Sequence, residues 1–126
     1  MSQWLAVGLG GFAGALSRFW LSKWLNQWPF PTWPLGTFVV NVMGCFILAA
    51  LAGWLFRHQR ALPPPIATGL SAGFLGSFTT MSTFMLETQK MLSHGQSVKA
   101  WLYLVATITA CLTGAHFGHK LFPFGE

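Results

Sequence analysis

The stretch "GFLGSFTTMSTF", residues 73–84, decides how this chain is read. It lies in one of the most apolar regions, yet it packs two Gly, two Ser and three Thr into a dozen positions. Two explanations stand side by side. Small residues let membrane helices approach closely, and Gly69, Gly73 and Ser77 keep that four-residue spacing. Alternatively, Gly76 followed by Ser77, Thr79 and Thr80 marks a break in a helix. Unwound backbone at membrane depth is tolerated only inside protein or along a cavity, where freed carbonyls can hold a cation and hydroxyls can face an anion.

The rest of the chain sets that stretch in a bilayer. Of 126 residues, 53% are hydrophobic and only 7% charged, whereas soluble domains carry about a quarter charged residues. Uncharged runs cover 1–17, 24–56, 61–86 and 100–119. Crossing the hydrocarbon takes about 20 helical residues, so the expected fold is all-α, with four transmembrane helices near 4–25, 35–56, 65–92 and 101–122. These make one channel-sized domain over 1–126. Pro29, Pro31 and Pro34, then Pro63, Pro64 and Pro65, then Gly95 punctuate the connections. The first apolar segment lacks the basic start and small-residue cleavage site of a signal peptide. Strict alternation, the mark of a membrane barrel, is absent.

A net charge of +5 spread over seven basic residues forms no nucleic-acid patch. The placement of those charges is more telling. Arg57, Arg60 and Lys120 fall on the N-terminal side of the membrane, and Lys23, Lys90 and Lys99 on the other. A Lys/Arg excess normally fixes orientation; three against three allows insertion both ways and an antiparallel dimer.

Polar groups inside the spans are candidate functional residues because they are costly there. Arg18 either snorkels to the interface or draws anions to a vestibule. Asn41, among three valines, either bonds a neighbouring helix or faces a pore. Glu87 is expected to pair locally with Lys90, and His116 and His119 to sit at the interface rather than on a metal. Cys45 and Cys111, far apart in sequence, read as small core residues. The seven Trp gather toward span ends, as interfacial anchors do.

"GGFAGALSR" (10–18), "PLGTFVVN" (34–41) and "TGLSAGFLGSFTTMSTF" (68–84) occur in this order. Together they resemble the Fluc (CrcB) fluoride channel family over nearly the whole chain. The resemblance implies a passive, selective fluoride channel in the bacterial inner membrane, not an enzyme. It implies a dual-topology antiparallel homodimer, embedded in lipid, with two pores at the subunit interface. It also implies a third helix broken at the membrane centre and a structural sodium ion (Na+) on the dimer axis, held by carbonyls that match Gly76 and Thr79. Mapped onto this chain, the fluoride pathway takes Asn41, Phe84, the hydroxyls of Ser82 and Thr83, Arg18, and on the last helix Tyr103 and Thr107.

Two positions depart from the pattern. Met81 stands where the first pore phenylalanine is expected, and Ser77 replaces a common second glycine. A thioether sulfur is a weak acceptor, whereas an aromatic ring offers an anion its positive edge. Altered throughput, or a need for a phenylalanine-bearing partner subunit, are the two expectations for Met81. The main rival, a small dual-topology proton-coupled exporter, requires a carboxylate in the first span, which has none. A purely structural packing protein would leave Asn41 and the hydroxyl cluster unused.

Overall fold

The computed structural model describes residues 1–28 and 33–125. Pro29 and Pro31, named above as breakers, lie outside the described residues. Every regular element among the described residues is helical. Helix α1 is Gln3–Leu25, α2 is Leu35–Arg57, and α3 runs over 64–78. Two extended residues separate α3 from α4, Met81–Ser93, and α5 is Ser97–Leu121.

Local sequence explains each boundary. Ser2 caps α1, its hydroxyl accepting from Leu5 N–H at 3.3 Å. At the far end Asn26 Oδ1 accepts from Gly36 N–H at 2.9 Å, tying the end of α1 to the start of α2. Pro64 and Pro65 occupy the first turn of α3, where a missing N–H is harmless. Gly95, at φ 72°, makes the left-handed turn between α4 and α5.

Three helices, α1, α2 and α5, are long and apolar enough to cross a membrane. The expected spans near 4–25 and 35–56 match α1 and α2 closely, whereas α5 begins four residues before the expected 101–122. The third span was placed at 65–92 with a break; the break falls at Thr79 and Thr80, slightly later than Gly76, which is itself helical at φ −62°, ψ −33°.

The molecule is apolar outside and small inside. On α1, Trp4, Leu5, Leu9, Phe12, Leu16 and Phe19 are exposed, while the buried residues are Ala6 and Gly14. In water such a surface would aggregate; in lipid it is already solvated, and helix association must come from close packing. Helix α1 packs chiefly against Gly69–Leu75, and α2 against α5. Gly69–Leu75 is π-helical, a wider turn than the α-helix. At Gly14 a methyl group would collide with the backbone carbonyl of Phe74, and at Gly73 it would come within 2.8 Å of the Val7 carbonyl. Backbone therefore lies on backbone across this contact, a fit that only glycine permits.

Tryptophans gather near helix ends as expected. Trp20, Trp24 and Trp28 form a ladder at the end of α1, with ring centroids 6.4 and 6.0 Å apart. Trp54 stacks on His58 at the end of α2. His119 meets Phe124 edge to face at 4.3 Å, while His116 is exposed.

Replacing Gly14 by Val forces α1 away from α3. The expected loss is about 3 kcal/mol, the upper end for overpacking, read as a lower unfolding temperature in detergent, while Gly8→Val, which meets open space, changes it little.

Candidate functional site

The break is made by one side chain on another helix. Thr79 and Thr80 take extended backbone, at φ −90°, ψ 159° and φ −151°, ψ 116°. Asn41, buried on α2, receives Thr80 N–H on its Oδ1 at 2.8 Å and donates Nδ2–H to the Thr80 carbonyl at 3.0 Å. An amide side chain thus satisfies both backbone groups of one residue, as a neighbouring strand would. Unwound backbone in hydrocarbon needs such partners, since each unmade bond costs several kcal/mol. Gly44, one turn along α2, adds room: a methyl group there would strike Thr79 Cγ2. On the other side Thr80 caps α4, its hydroxyl accepting from Thr83 N–H at 3.3 Å and donating to Thr83 Oγ1 at 3.0 Å.

This arrangement also frees carbonyls at the end of α3, those of Gly76 and Thr79 among them. In an unbroken helix the Gly76 carbonyl would receive Thr80 N–H, and the Thr79 carbonyl Thr83 N–H. Those two amides go instead to Asn41 and to the Thr80 hydroxyl. Gly76 and Thr79 are the two residues whose carbonyls were expected to hold a cation, and carbonyl oxygens suit a hard cation.

Beside the break lies a cavity of about 370 Å³. Asn41, Gly44 and Cys45 of α2 form one wall, Thr79 and Thr80 the unwound edge, Met81 and Phe84 the end of α4, and Thr107 and Cys111 the α5 wall. Five of the expected site residues, Asn41, Thr79, Met81, Phe84 and Thr107, therefore meet here. Thr107 is buried, and its hydroxyl has no hydrogen-bond partner among the described residues. Thr88 and Thr113, also on helices, turn their hydroxyls back onto the carbonyls of Phe84 and Thr109 at 2.8 Å.

Tyr103 stands behind this wall. Its ring is fully buried and meets Phe84 edge to face at 5.0 Å and 70°. Its hydroxyl donates to Glu87 Oε2 at 2.8 Å, and Thr37 Oγ1 donates to Glu87 Oε1 at 2.8 Å. The expected local pair of Glu87 with Lys90 is corrected accordingly: the carboxylate turns inward, where two neutral hydroxyls hold it. Ser82 and Thr83 are exposed on α4 outside the cavity lining, and half-buried Arg18 lies on α1, also away from it.

Sequence reasoning missed Thr37 and Glu87 as partners of Tyr103. Thr37 precedes Asn41 by four residues, and Tyr103, Thr107 and Cys111 are likewise four apart. That spacing puts each set on one helix face. The same geometry brings Cys45 and Cys111 into one cavity.

A helical membrane protein with a helix unwound near its middle, clamped by a buried amide beside a hydroxyl-bearing cavity, is the class these features define. Residues 5–119 match the family model described as CrcB-like protein, Camphor Resistance (CrcB). The chain is 44% identical over 115 residues to a protein of Moorella thermoacetica named fluoride-specific ion channel FluC 2, covering 91% of this chain and 92% of that one. It is 38% identical over 121 residues to fluoride-specific ion channel FluC 1 of Bacillus cereus, with 96% and 88% covered. A FluC of Oceanobacillus iheyensis is 38% identical over 124 residues, with 96% and 92% covered. This chain belongs to the CrcB family.

Two substitutions at Asn41 separate clamping from mere bulk. Asn41→Ala leaves Thr80 N–H and C=O unmatched and costs about 2 kcal/mol. Asn41→Asp keeps the acceptor for Thr80 N–H but sets an oxygen against the Thr80 carbonyl, so it is at least as destabilising. Thermal unfolding of the purified variants in detergent reads both.

Proposed function

We propose that this protein is a passive, selective fluoride channel that lets cytoplasmic fluoride leave the cell across the bacterial inner membrane. What carries the proposal is the match along nearly the whole chain to proteins named fluoride-specific ion channels. The cavity at the helix break is the local feature that suits the role. Hydrofluoric acid crosses membranes as a neutral molecule and ionises inside, so a passive pathway for the trapped anion needs no energy coupling and no catalytic group.

Fluoride is small and strongly hydrated, so the pore must replace its water with donors. Asn41 keeps a second N–H beyond the one given to Thr80. Thr107 has a hydroxyl with no other partner among the described residues, and Phe84 borders the same space. Aromatic edges are positive and suit an anion. Glu87 would repel fluoride if it faced the path; its two hydroxyl donors hold the carboxylate away from the cavity lining. Ser82, Thr83 and Arg18, outside this cavity, would serve the path nearer its ends.

The functional unit in this reading is an antiparallel homodimer with two pores. The balanced loop charges allow both insertions. Met81, 67% exposed at the cavity's edge, would be covered by the second copy. A sodium ion on the axis, held by the Gly76 and Thr79 carbonyls of both copies, would satisfy oxygens that have lost their helical donors. Its fixed positive charge would favour an anion nearby, an effect that grows in a low-dielectric setting. In the same reading, 64–78 and α4 together make the fourth crossing.

Liposomes loaded with potassium fluoride or chloride and reconstituted with the purified protein are the test. Fast fluoride release with negligible chloride release, followed with ion-selective electrodes, is expected. No fluoride release from a folded dimer would overturn the homodimeric channel. Thr107→Val is expected to slow fluoride release at least tenfold while the protein stays folded, and Met81→Phe to keep or raise the rate.

A further inference from the structure

We propose that the cavity at the helix break is a sulfur site for a soft divalent cation, bound by the thiolates of Cys45 and Cys111 with the Met81 thioether at its edge. Three of the chain's sulfur atoms border this one cavity of about 370 Å³. Cys45 follows Asn41 by four residues on α2, and Cys111 follows Thr107 by four on α5, so each thiol shares the face that lines the cavity. The thiols are carried by α2 and α5, the most extensively packed pair of helices, which fixes their separation. Met81 borders the same space and adds a soft donor at its edge.

The donor set selects the ligand. The cavity wall has no carboxylate and no imidazole, and no cluster of three or more metal-binding side chains occurs among the described residues. Zinc wants four ligands of this kind, and magnesium or calcium want oxygen. Two thiolates complete the shell of a soft cation that accepts linear two-coordination, of which Hg(II) is the simplest probe. Charge favours the same choice. A divalent cation with two thiolates is neutral, and an apolar cavity penalises any net charge strongly. On binding, two S–H bonds break, two Hg–S bonds form, and two protons leave to water. Nothing is oxidised or reduced.

An occupant there would stand against Asn41 and Thr107. Obstruction of fluoride flow is therefore a second consequence, and it alone rests on the channel reading. Metal binding does not.

The test uses the full chain in detergent with mercuric chloride. Expected is one mercury per chain, loss of both titratable thiols, an intact mass raised by one mercury less two protons, and a monomer on a denaturing non-reducing gel. Cys45→Ala and Cys111→Ala should each lose the two-thiol adduct and release the metal to far lower concentrations of a competing thiol. Two mercury ions per chain, none, or a mercury-linked pair of chains would overturn the proposal, and the wild-type stoichiometry decides this even if a variant does not fold. In liposomes, mercury should halt fluoride release by the wild type and spare the Cys45→Ala/Cys111→Ala double variant. Bridged thiols with undiminished release would overturn the placement beside the ion path. Wild-type protein that binds mercury but releases no fluoride untreated would count against the channel reading alone.

Discussion

The two hydrogen bonds between Asn41 and the backbone N–H and C=O of Thr80 are what the rest of the structure depends on. A helix interior gives its own backbone every partner it needs, which is why helices cross membranes at all. Thr80 forgoes that internal pairing, whereas Thr79 N–H still reaches the Leu75 carbonyl at 3.2 Å. The amide of Asn41 is the right length and has both a donor and an acceptor in one plane, so it restores the lost bonds from outside. Once the break is held, the remaining features follow from it. The Gly76 and Thr79 carbonyls are released, Thr80 becomes the cap of α4, and a cavity opens where two continuous helices would have packed shut.

The packing around the break obeys a different rule from that of a soluble core. There, apolar side chains meet because water excludes them; here lipid is as good a solvent for leucine as another helix is. The chain accordingly turns its large side chains outward and its glycines inward. Gly14 and Gly73 bring α1 and α3 to backbone contact, and Gly44 leaves space for Thr79. The larger buried groups, Tyr103, Phe84 and Met91, gather at the α4–α5 contact, with Trp33 and Phe38 packed against them.

Much of this was legible in the sequence, and the exceptions have physical causes. Length and apolarity place helices well, so α1 and α2 matched expectation to within a residue, while α5 begins four residues before the expected start. Small polar residues flagged the break, but its position was set by the reach of Asn41 from another helix, which no local pattern encodes. Asn41, Met81, Phe84 and Thr107 converge because each lies on a helix face that can be counted out by fours. Glu87 was misread as a partner of Lys90 since spacing along one helix is visible in a sequence, whereas Thr37 and Tyr103 reach it from two others. Cys45 and Cys111 looked unrelated for the same reason.

The π-helical turn over Gly69–Leu75 has a consequence for how this chain tolerates change in length. A π turn holds one residue more than the α turn it replaces, and that surplus is the least expensive residue in the segment to lose. Elsewhere in a spanning helix, a single deletion rotates everything beyond it by about 100° and carries glycines off their contacts. Within 69–75 a deletion would tighten the coil toward an ordinary α-helix before it displaced either flank. The segment is thus a phase buffer between 64–68 and the unwound residues, where the register of one half can be trimmed against the other.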